Sequence, residues 1–223
     1  SNAVTKMSLF GAFWDKDPNP VGDSQFGNNK GLFYNLDWYP KGVLHIGAWD
    51  AWEAKQYAHY CSDNSVFVEA NPNSYQKFKN EIEKFGQKIF NFAAWNQDDQ
   101  EMNLYCPPGR EDTSSLIQQS GNVIKVQTIR MDTLFQRENL SFDNFDLLNI
   151  DTEGVELQVL EGIGMGLQKF TYIIVEVSDI GSESDKNVNQ FLVNNGFEFV
   201  RDSTHHLSGI NNKWFCDKLY KKK

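Results

Sequence analysis

The chain has 223 residues, of which 40% are hydrophobic and 14% aromatic, enough for one large domain with a substantial core and no disulfide bonds. Thirty acidic residues against 21 basic ones give a formal net charge of −9, which disfavours nucleic acid and anionic membrane surfaces as partners. The three cysteines lack metal-finger spacing, and there is no signal-like segment or apolar run of about 18 residues, so we expect a cytoplasmic protein.

Residues 1–40 form a predicted irregular arm, rich in glycine, asparagine, proline and aromatic residues and without helical or strand periodicity. Residues 1–3 resemble the remnant of a purification tag and carry no functional weight. The arm has too many aromatic side chains for a disordered linker. We therefore expect it to pack over the main domain, as a structural cover or as a substrate lid, and we predict the main domain over residues 41–223.

From Val43 onward, apolar runs alternate with apolar residues at helical spacing, a pattern typical of a doubly wound α/β sheet. Strands are predicted at 43–46, 66–68, 88–92, 145–150, 171–177, 197–200 and 214–219. A helix is predicted to begin at Pro72 with Asn71 as its cap, and residues 101–129 are predicted to form an inserted hairpin. The sheet is therefore predicted to be mostly parallel and to end in a C-terminal antiparallel hairpin.

Glu69 ends the second predicted strand, about 20 residues after Gly47 at the end of the first. A nucleoside bound at the first strand places its ribose beside the second, so we predict that Glu69 binds the ribose hydroxyls rather than merely capping a helix. Gly47 lacks the further glycines that let a backbone approach a pyrophosphate. The loop therefore argues against NAD more than against S-adenosylmethionine, which has no pyrophosphate.

Three carboxylates follow or end central strands and are predicted to act on the substrate: Asp151, Glu153 and Glu176. One of them could act as a base or orient an acceptor hydroxyl. Alternatively, such a cluster could hold a divalent cation, although we rank metal-free chemistry ahead and predict no metal. His205, in a loop between the last two strands, is a further candidate base because imidazole titrates near neutral pH, although loop histidines are usually just solvated.

Several motifs, in this order, make the sequence resemble the FkbM-type methyltransferases over residues 41–220. They are LHIGA at 44–48, VEANP at 68–72, NFAA at 91–94, TSSL at 113–116, TIRMDTL at 128–134, LNIDTEGVELQVLEG at 148–162, VEV at 175–177 and NGF at 195–197. The resemblance implies a class I Rossmann-like methyltransferase fold with a seven-stranded sheet. It also implies S-adenosylmethionine as cofactor and a hydroxyl acceptor on a sugar or small natural product.

The resemblance further implies which residues hold the cofactor, with Gly47 and Ala48 at the methionine end and Glu69 at the ribose. Phe92, Ala93 and Ala94 would lie at the adenine, and the neighbouring motif residues His45, Ala70 and Asn71 complete the predicted set. Ser114 and Ser115 are predicted to bind substrate hydroxyls or the cofactor carboxylate, unless they serve only the turn. Many family members carry a further glycine in the first loop, where this chain has Ala51.

Two other functions remain open on the sequence alone. One is a non-catalytic module that keeps the fold and serves in binding. The other is an NAD-dependent oxidoreductase, for which Glu69 is suitable but the missing glycines are a serious defect. We rank the methyltransferase ahead of both. The sequence leaves the oligomeric state open.

Overall fold

The computed structural model describes residues 31–33, 36–49, 51, 53–61, 64–109, 114–117, 119, 121–203, 205–209 and 211–223. The strands are β1 (Val43–Ile46), β2 (Val66–Val68), β3 (Lys88–Phe90), β4 (Ala93–Ala94), β5 (Glu101–Cys106), β6 (Asn122–Ile129), β7 (Leu147–Ile150), β8 (Tyr172–Val177), β9 (Phe197–Asp202), β10 (His206–Leu207) and β11 (Trp214–Lys222). The helices are α1 (Ala54–Tyr60), α2 (Pro72–Glu83), α3 (Met131–Arg137), α4 (Glu156–Ile163) and α5 (Glu183–Asn194), with short 3-10 helices at Phe142–Asn144 and Gly164–Lys169. The predicted alternation of strands and helices is confirmed.

The main sheet has the strand order β3-β2-β1-β7-β8-β11-β9. Neighbouring strands from β3 to β8 pair in parallel, whereas β11 runs antiparallel to both β8 and β9. The predicted mostly parallel sheet with a C-terminal antiparallel hairpin is confirmed. The two-residue strand β10 pairs with the start of β11 and makes an eighth strand beyond the predicted seven.

Helices cover both faces of this sheet and bury two hydrophobic cores. Successive strand residues point to opposite faces, so Leu148 packs in the core under α3, α4 and α5, whereas Leu147 packs in the core under α1 and α2. Both side chains are fully buried. Burial on two faces explains why the central strands have continuous apolar runs rather than alternating ones.

A smaller three-stranded sheet has the order β4-β6-β5. The hairpin predicted within residues 101–129 is confirmed as the antiparallel pair of β5 and β6. The parallel pairing of β4 with β6, where Ala93 lies beside Thr128, was not predicted, because a two-residue strand has no periodicity to read. This pairing fixes the segment after β3 against the edge of the main domain.

The described part of the N-terminal arm packs on the α1 and α2 side of the main sheet. Leu32 and Phe33 are buried in that core, and the ring of Phe33 lies 5.2 Å from the ring of Tyr172. The predicted aromatic contacts of residues 10–30 and of Tyr34 lie outside the described residues. Among the described helices, none is both long and apolar enough to cross a bilayer.

A buried polar network joins β1, β7 and α1. The Nδ2 of Asn149 donates to the hydroxyl of Tyr57 at 3.1 Å, and that hydroxyl lies 2.8 Å from Nδ1 of His45. Burial lowers the pKa of His45 to about 3, although a hydrogen bond with the backbone of Gly47 opposes the shift. His45 is therefore neutral in the folded protein at neutral pH.

We expect His45 to make the protein less stable in mild acid. Its pKa is about 3 when folded and 6.5 when unfolded, so the unfolded chain binds the proton more tightly as the pH falls below 6.5. The stability advantage of wild-type protein over His45→Gln should fall by about 2 kcal/mol between pH 7 and pH 5. Urea unfolding at both pH values measures this, with the exposed His59→Gln as control. An equal advantage at both pH values would contradict a neutral buried His45.

Candidate active site

A row of residues crosses the sheet at the carboxyl ends of its parallel strands. The strand register pairs Ile46 with Val68 on one side and with Ile150 on the other, and Ile150 with Val175. The residues that follow these positions are Glu69, Gly47, Asp151 and Glu176. Paired positions in neighbouring strands direct their side chains to the same face, so the carboxyl groups in this row share one face of the sheet.

A cavity of about 330 Å³ opens at this edge of the sheet. Many of the residues predicted from the sequence line it: Gly47, Ala48, Glu69, Ala70, Phe92, Ala93, Ala94, Ser114, Asp151, Glu153 and Glu176. Its size is within the range of small-molecule and cofactor sites. The structure therefore brings together the strand-end carboxylates and most of the predicted cofactor segments in one cavity.

Gly47 allows the ends of β1 and β7 to meet. Its φ is +89°, and a Cβ atom at this position would lie only 1.6 Å from the backbone oxygen of Asp151. The loop that follows has further left-handed residues, with φ of 40° at Trp49 and 47° at Ala51. The loop thus turns sharply away from the sheet and forms one wall of the cavity.

Glu69 fixes that loop to the end of β2. Its Oε2 accepts the backbone N–H of Trp49 at 2.6 Å, and its Oε1 accepts the N–H of Asn71 at 2.8 Å. Burial raises the pKa of Glu69, and these backbone hydrogen bonds act in the opposite direction. Each carboxylate oxygen has a further lone pair. Glu69 therefore holds the loop and can also accept hydroxyl protons from a ligand in the cavity.

Asp151, Glu153 and Glu176 form a compact carboxyl cluster, with one oxygen of each within 4.8 Å of the others. The carboxyl groups of Asp151 and Glu176 lie close together, and a proton shared between them would relieve the repulsion of two negative charges. Burial, together with the negative charges of neighbouring carboxylates, raises the pKa of both groups well above the ordinary values. The cluster can exchange a proton with a ligand, and its hard oxygen donors are also of the type that Mg²⁺ or Ca²⁺ prefers.

The sequence reasoning missed two further carboxyl groups of this cluster. Asp217 lies directly opposite Glu176 in the antiparallel ladder, and burial raises its pKa to about 6. Glu53, which immediately precedes α1, lines the cavity. Alternating side chains in the last strand could have flagged Asp217, but only the register against β8 places it beside Glu176.

Three predicted binding residues have structural contacts instead of lining the cavity. The Oγ of Ser115 donates to the backbone oxygen of Glu153 at 3.0 Å, which ties the β5–β6 connection to the segment after β7. Asn71 caps α2 by accepting the N–H of Asn73 at 2.9 Å. His45 lies in the buried network with Tyr57. Their predicted ligand contacts stay predictions.

His205 is not brought to the carboxyl cluster. Its Nε2 lies 2.9 Å from Oδ2 of Asp202, and its nearest metal-binding neighbours are Asp202 and Cys216. Cys216 and Asp217 are consecutive in β11, so their side chains point to opposite faces of the sheet. His205 is not one of the described residues that line the cavity, and its base role stays a prediction.

Comparison with known proteins yields a family and a fold. A family model described as a methyltransferase FkbM domain matches residues 40–199. A search of curated proteins finds no match. The chain is similar to the solved structure of a putative RNA methyltransferase from Pyrococcus horikoshii, with a TM-score of 0.52 and 10% sequence identity over 86% of this chain and 78% of that chain. It is similar to TrmK from M. capricolum in complex with S-adenosylhomocysteine, with a TM-score of 0.50 and 13% identity over 82% of this chain and 62% of that chain. It is also similar to a putative tRNA (m1A22) methyltransferase from Streptococcus pneumoniae in complex with S-adenosyl-L-methionine, with a TM-score of 0.50 and 10% identity over 100% of this chain and 72% of that chain.

These similarities show a Rossmann-like methyltransferase fold. Because the sequence identities are only 10 to 13%, these similarities indicate the fold of the chain but not its substrate. The chain spans 62% of the length of TrmK.

We expect Gly47→Ala to disrupt the site by separating β1 from β7. Its Cβ would overlap the backbone of Asp151, so the substitution should cost at least about 2 kcal/mol of folding stability. Gly196→Ala is a matched control, because Gly196 has a similar φ of +87° but open space around the added Cβ. Chemical denaturation of both variants separates the two effects. Equal losses of folding stability in the two variants would show that the positive φ alone, and not the close contact with Asp151, requires glycine at position 47.

Proposed function

Because this chain belongs to the methyltransferase FkbM family, we propose that it transfers a methyl group from S-adenosylmethionine to a hydroxyl group of a sugar or small natural product. The observation that carries this proposal is Oδ1 of Asp151, a buried atom that has no hydrogen-bond partner among the described residues. An unpaired buried carboxyl oxygen destabilises a folded protein. Asp151 is one of the residues that line the cavity, which supports a role for its side chain in binding a polar group of the acceptor.

The side chains that line the cavity are suited to bind S-adenosylmethionine. Glu69 offers a carboxylate to the two ribose hydroxyls, as the sequence spacing predicted. Phe92, Ala93 and Leu116 supply apolar lining for an adenine ring. The close contact of Gly47 with Asp151 leaves no room for a side chain, so the loop backbone itself borders the cavity. TrmK and the pneumococcal protein bind cofactors of this class in their crystals, which supports the assignment through the shared fold.

The carboxyl cluster is suited to accept the acceptor's proton. S-adenosylmethionine supplies an electrophilic methyl group on a positively charged sulfur. An acceptor hydroxyl bound beside Asp151 would attack the methyl carbon, the bond between that carbon and the sulfur would break to leave S-adenosylhomocysteine, and the hydroxyl proton would pass to the carboxyl pair of Asp151 and Glu176. The raised pKa of this pair makes it a stronger base than an exposed carboxylate. Holding the hydroxyl in line with the methyl group supplies much of the remaining rate.

The charge of the cavity favours an uncharged acceptor over RNA or a phosphorylated molecule. The described residues that line the cavity include five acids and no lysine, arginine or histidine: the acids are Glu53, Glu69, Asp151, Glu153 and Glu176. Proteins neutralise phosphates with lysine and arginine side chains. A polyanion brought to this cavity would meet acidic side chains and no cationic one among the described lining residues, whereas a sugar hydroxyl would find acceptors for its proton.

We expect Glu69→Gln to weaken S-adenosylmethionine binding. Loss of a charged acceptor for two ribose hydroxyls should cost roughly 1 to 3 kcal/mol, which raises Kd about 5-fold to 150-fold. Isothermal titration calorimetry with S-adenosylmethionine, S-adenosylhomocysteine and NADH measures this, with the exposed Glu138→Gln as control. Thermal unfolding shows separately whether the loop held by Glu69 has loosened. Unchanged affinity would remove Glu69 from the cofactor site, and binding of NADH alone would overturn the methyltransferase proposal.

We expect Asp151→Asn to lower turnover with little effect on cofactor affinity, because an amide cannot take the acceptor's proton. The loss should be about 100-fold to 10,000-fold in kcat, the usual contribution of a general base. Asp146→Asn is a matched control, because Asp146 precedes the same strand at its other end and binds the N–H of Lys41. Methyl transfer from labelled S-adenosylmethionine to a panel of sugars provides the assay. Wild-type turnover in Asp151→Asn would exclude Asp151 as the base.

A further inference from the structure

A second group of metal-binding side chains lies outside the cavity. One ligand atom each of Asp202, His205 and Cys216 lies within 4.8 Å of the others. Asp202 ends β9 and pairs with Lys218 of β11, so its side chain shares a face with that of Cys216. Asp217, the next residue of β11, lies opposite Glu176 on the cavity side. The second group is therefore on the other face of the same strand.

We propose that Asp202, His205 and Cys216 bind a zinc ion. Imidazole nitrogen, thiolate sulfur and carboxylate oxygen are the ligands that Zn²⁺ takes in proteins, usually four in tetrahedral geometry, so a water molecule would complete the site. Mg²⁺ and Ca²⁺ select oxygen ligands and would not recruit a thiol. The mixed ligand set therefore points to a borderline-soft divalent ion rather than to a hard one.

The charges and protons of this group suit such an ion. Cys216 is only 1% exposed, whereas His205 and Asp202 are partly open to solvent, so the ion can enter from the side of these two residues. Nε2 of His205 lies 2.9 Å from Oδ2 of Asp202, so these two ligand atoms already face each other. The thiol of Cys216 would lose its proton to solvent as Sγ binds. Thiolate and carboxylate together balance the two positive charges.

The zinc ion would add a link to a turn that Ser203 already joins to β11, through hydrogen bonds of its N–H and its Oγ with the backbone of Asp217. His205 immediately precedes β10, whose two residues pair only with Trp214 and Phe215. Phe215 and Ser208 line the cavity. A bound ion would be a further connection between this turn and β11, close to the segment that borders the cavity. The expected role is structural.

The test is Co²⁺ and Zn²⁺ titration of the full chain after chelator treatment. Wild-type protein should bind one equivalent of Co²⁺, with a thiolate-to-cobalt absorption band and the visible bands of tetrahedral cobalt, and Zn²⁺ should displace it. Cys216→Ser and His205→Gln should each lower Co²⁺ affinity by more than about 100-fold. His59→Gln and Cys61→Ser are matched controls that should bind as the wild type does. Zn²⁺ should raise the Tm of the wild type and the controls only.

Two outcomes would overturn the proposal. One is a wild-type protein that binds Co²⁺ without thiolate absorption or not at all. The other is a folded His205→Gln variant that binds Co²⁺ as tightly as the wild type. His205 is partly exposed, so its replacement tests the site even if Cys216→Ser, in a buried position, fails to fold. Calorimetric titration of S-adenosylmethionine into the wild type and His205→Gln is measured separately, so that failure of the zinc proposal and failure of the proposed function are distinguishable.

Discussion

The close backbone contact between the ends of β1 and β7 determines where the cavity forms. The N–H of Asp151 donates to the carbonyl oxygen of Ile46 at 2.8 Å, and the backbone oxygen of Asp151 fills the space that a side chain at position 47 would need. This contact keeps the parallel strands in register up to their last residues. The residues from Glu69 to Glu176 form a row at one edge of the sheet because of that register, so the shape of the candidate site depends on one glycine.

The buried acids of the site are stabilised to different degrees. Glu69 accepts two backbone hydrogen bonds, and Glu156 accepts the N–H of Gly154, so these two side chains contribute to the local fold. Asp151 lies beside the like-charged Glu176, and its buried Oδ1 has no hydrogen-bond partner among the described residues. A group left so poorly satisfied costs folding stability. Such a cost is typical of positions where a protein interacts with a ligand.

The sequence predicted the parts of the site that depend on single strands. Glu69 and Asp151 each follow an apolar run directly, so the end of the run locates the side chain at the sheet edge. Asp217 could not be placed because its neighbourhood depends on the pairing of β11 with β8, which a strand pattern does not specify. Ser115 and His205 lie in loops, where sequence gives the residue type but not the contact. Loop contacts with Glu153 and Asp202 decide where these two side chains lie.

Strand β11 connects the two candidate sites through the alternation of its side chains. Phe215 lines the cavity, and Asp217 lies beside Glu176 of the carboxyl cluster. Cys216, between them, points to the opposite face, toward His205 and Asp202. A shift of β11 by one residue would exchange these faces and remove Asp217 from Glu176. Binding of an ion at Cys216 would oppose such a shift, because the ligands come from two neighbouring strands. The zinc site would thereby secure the register on which the negative charge of the active site depends.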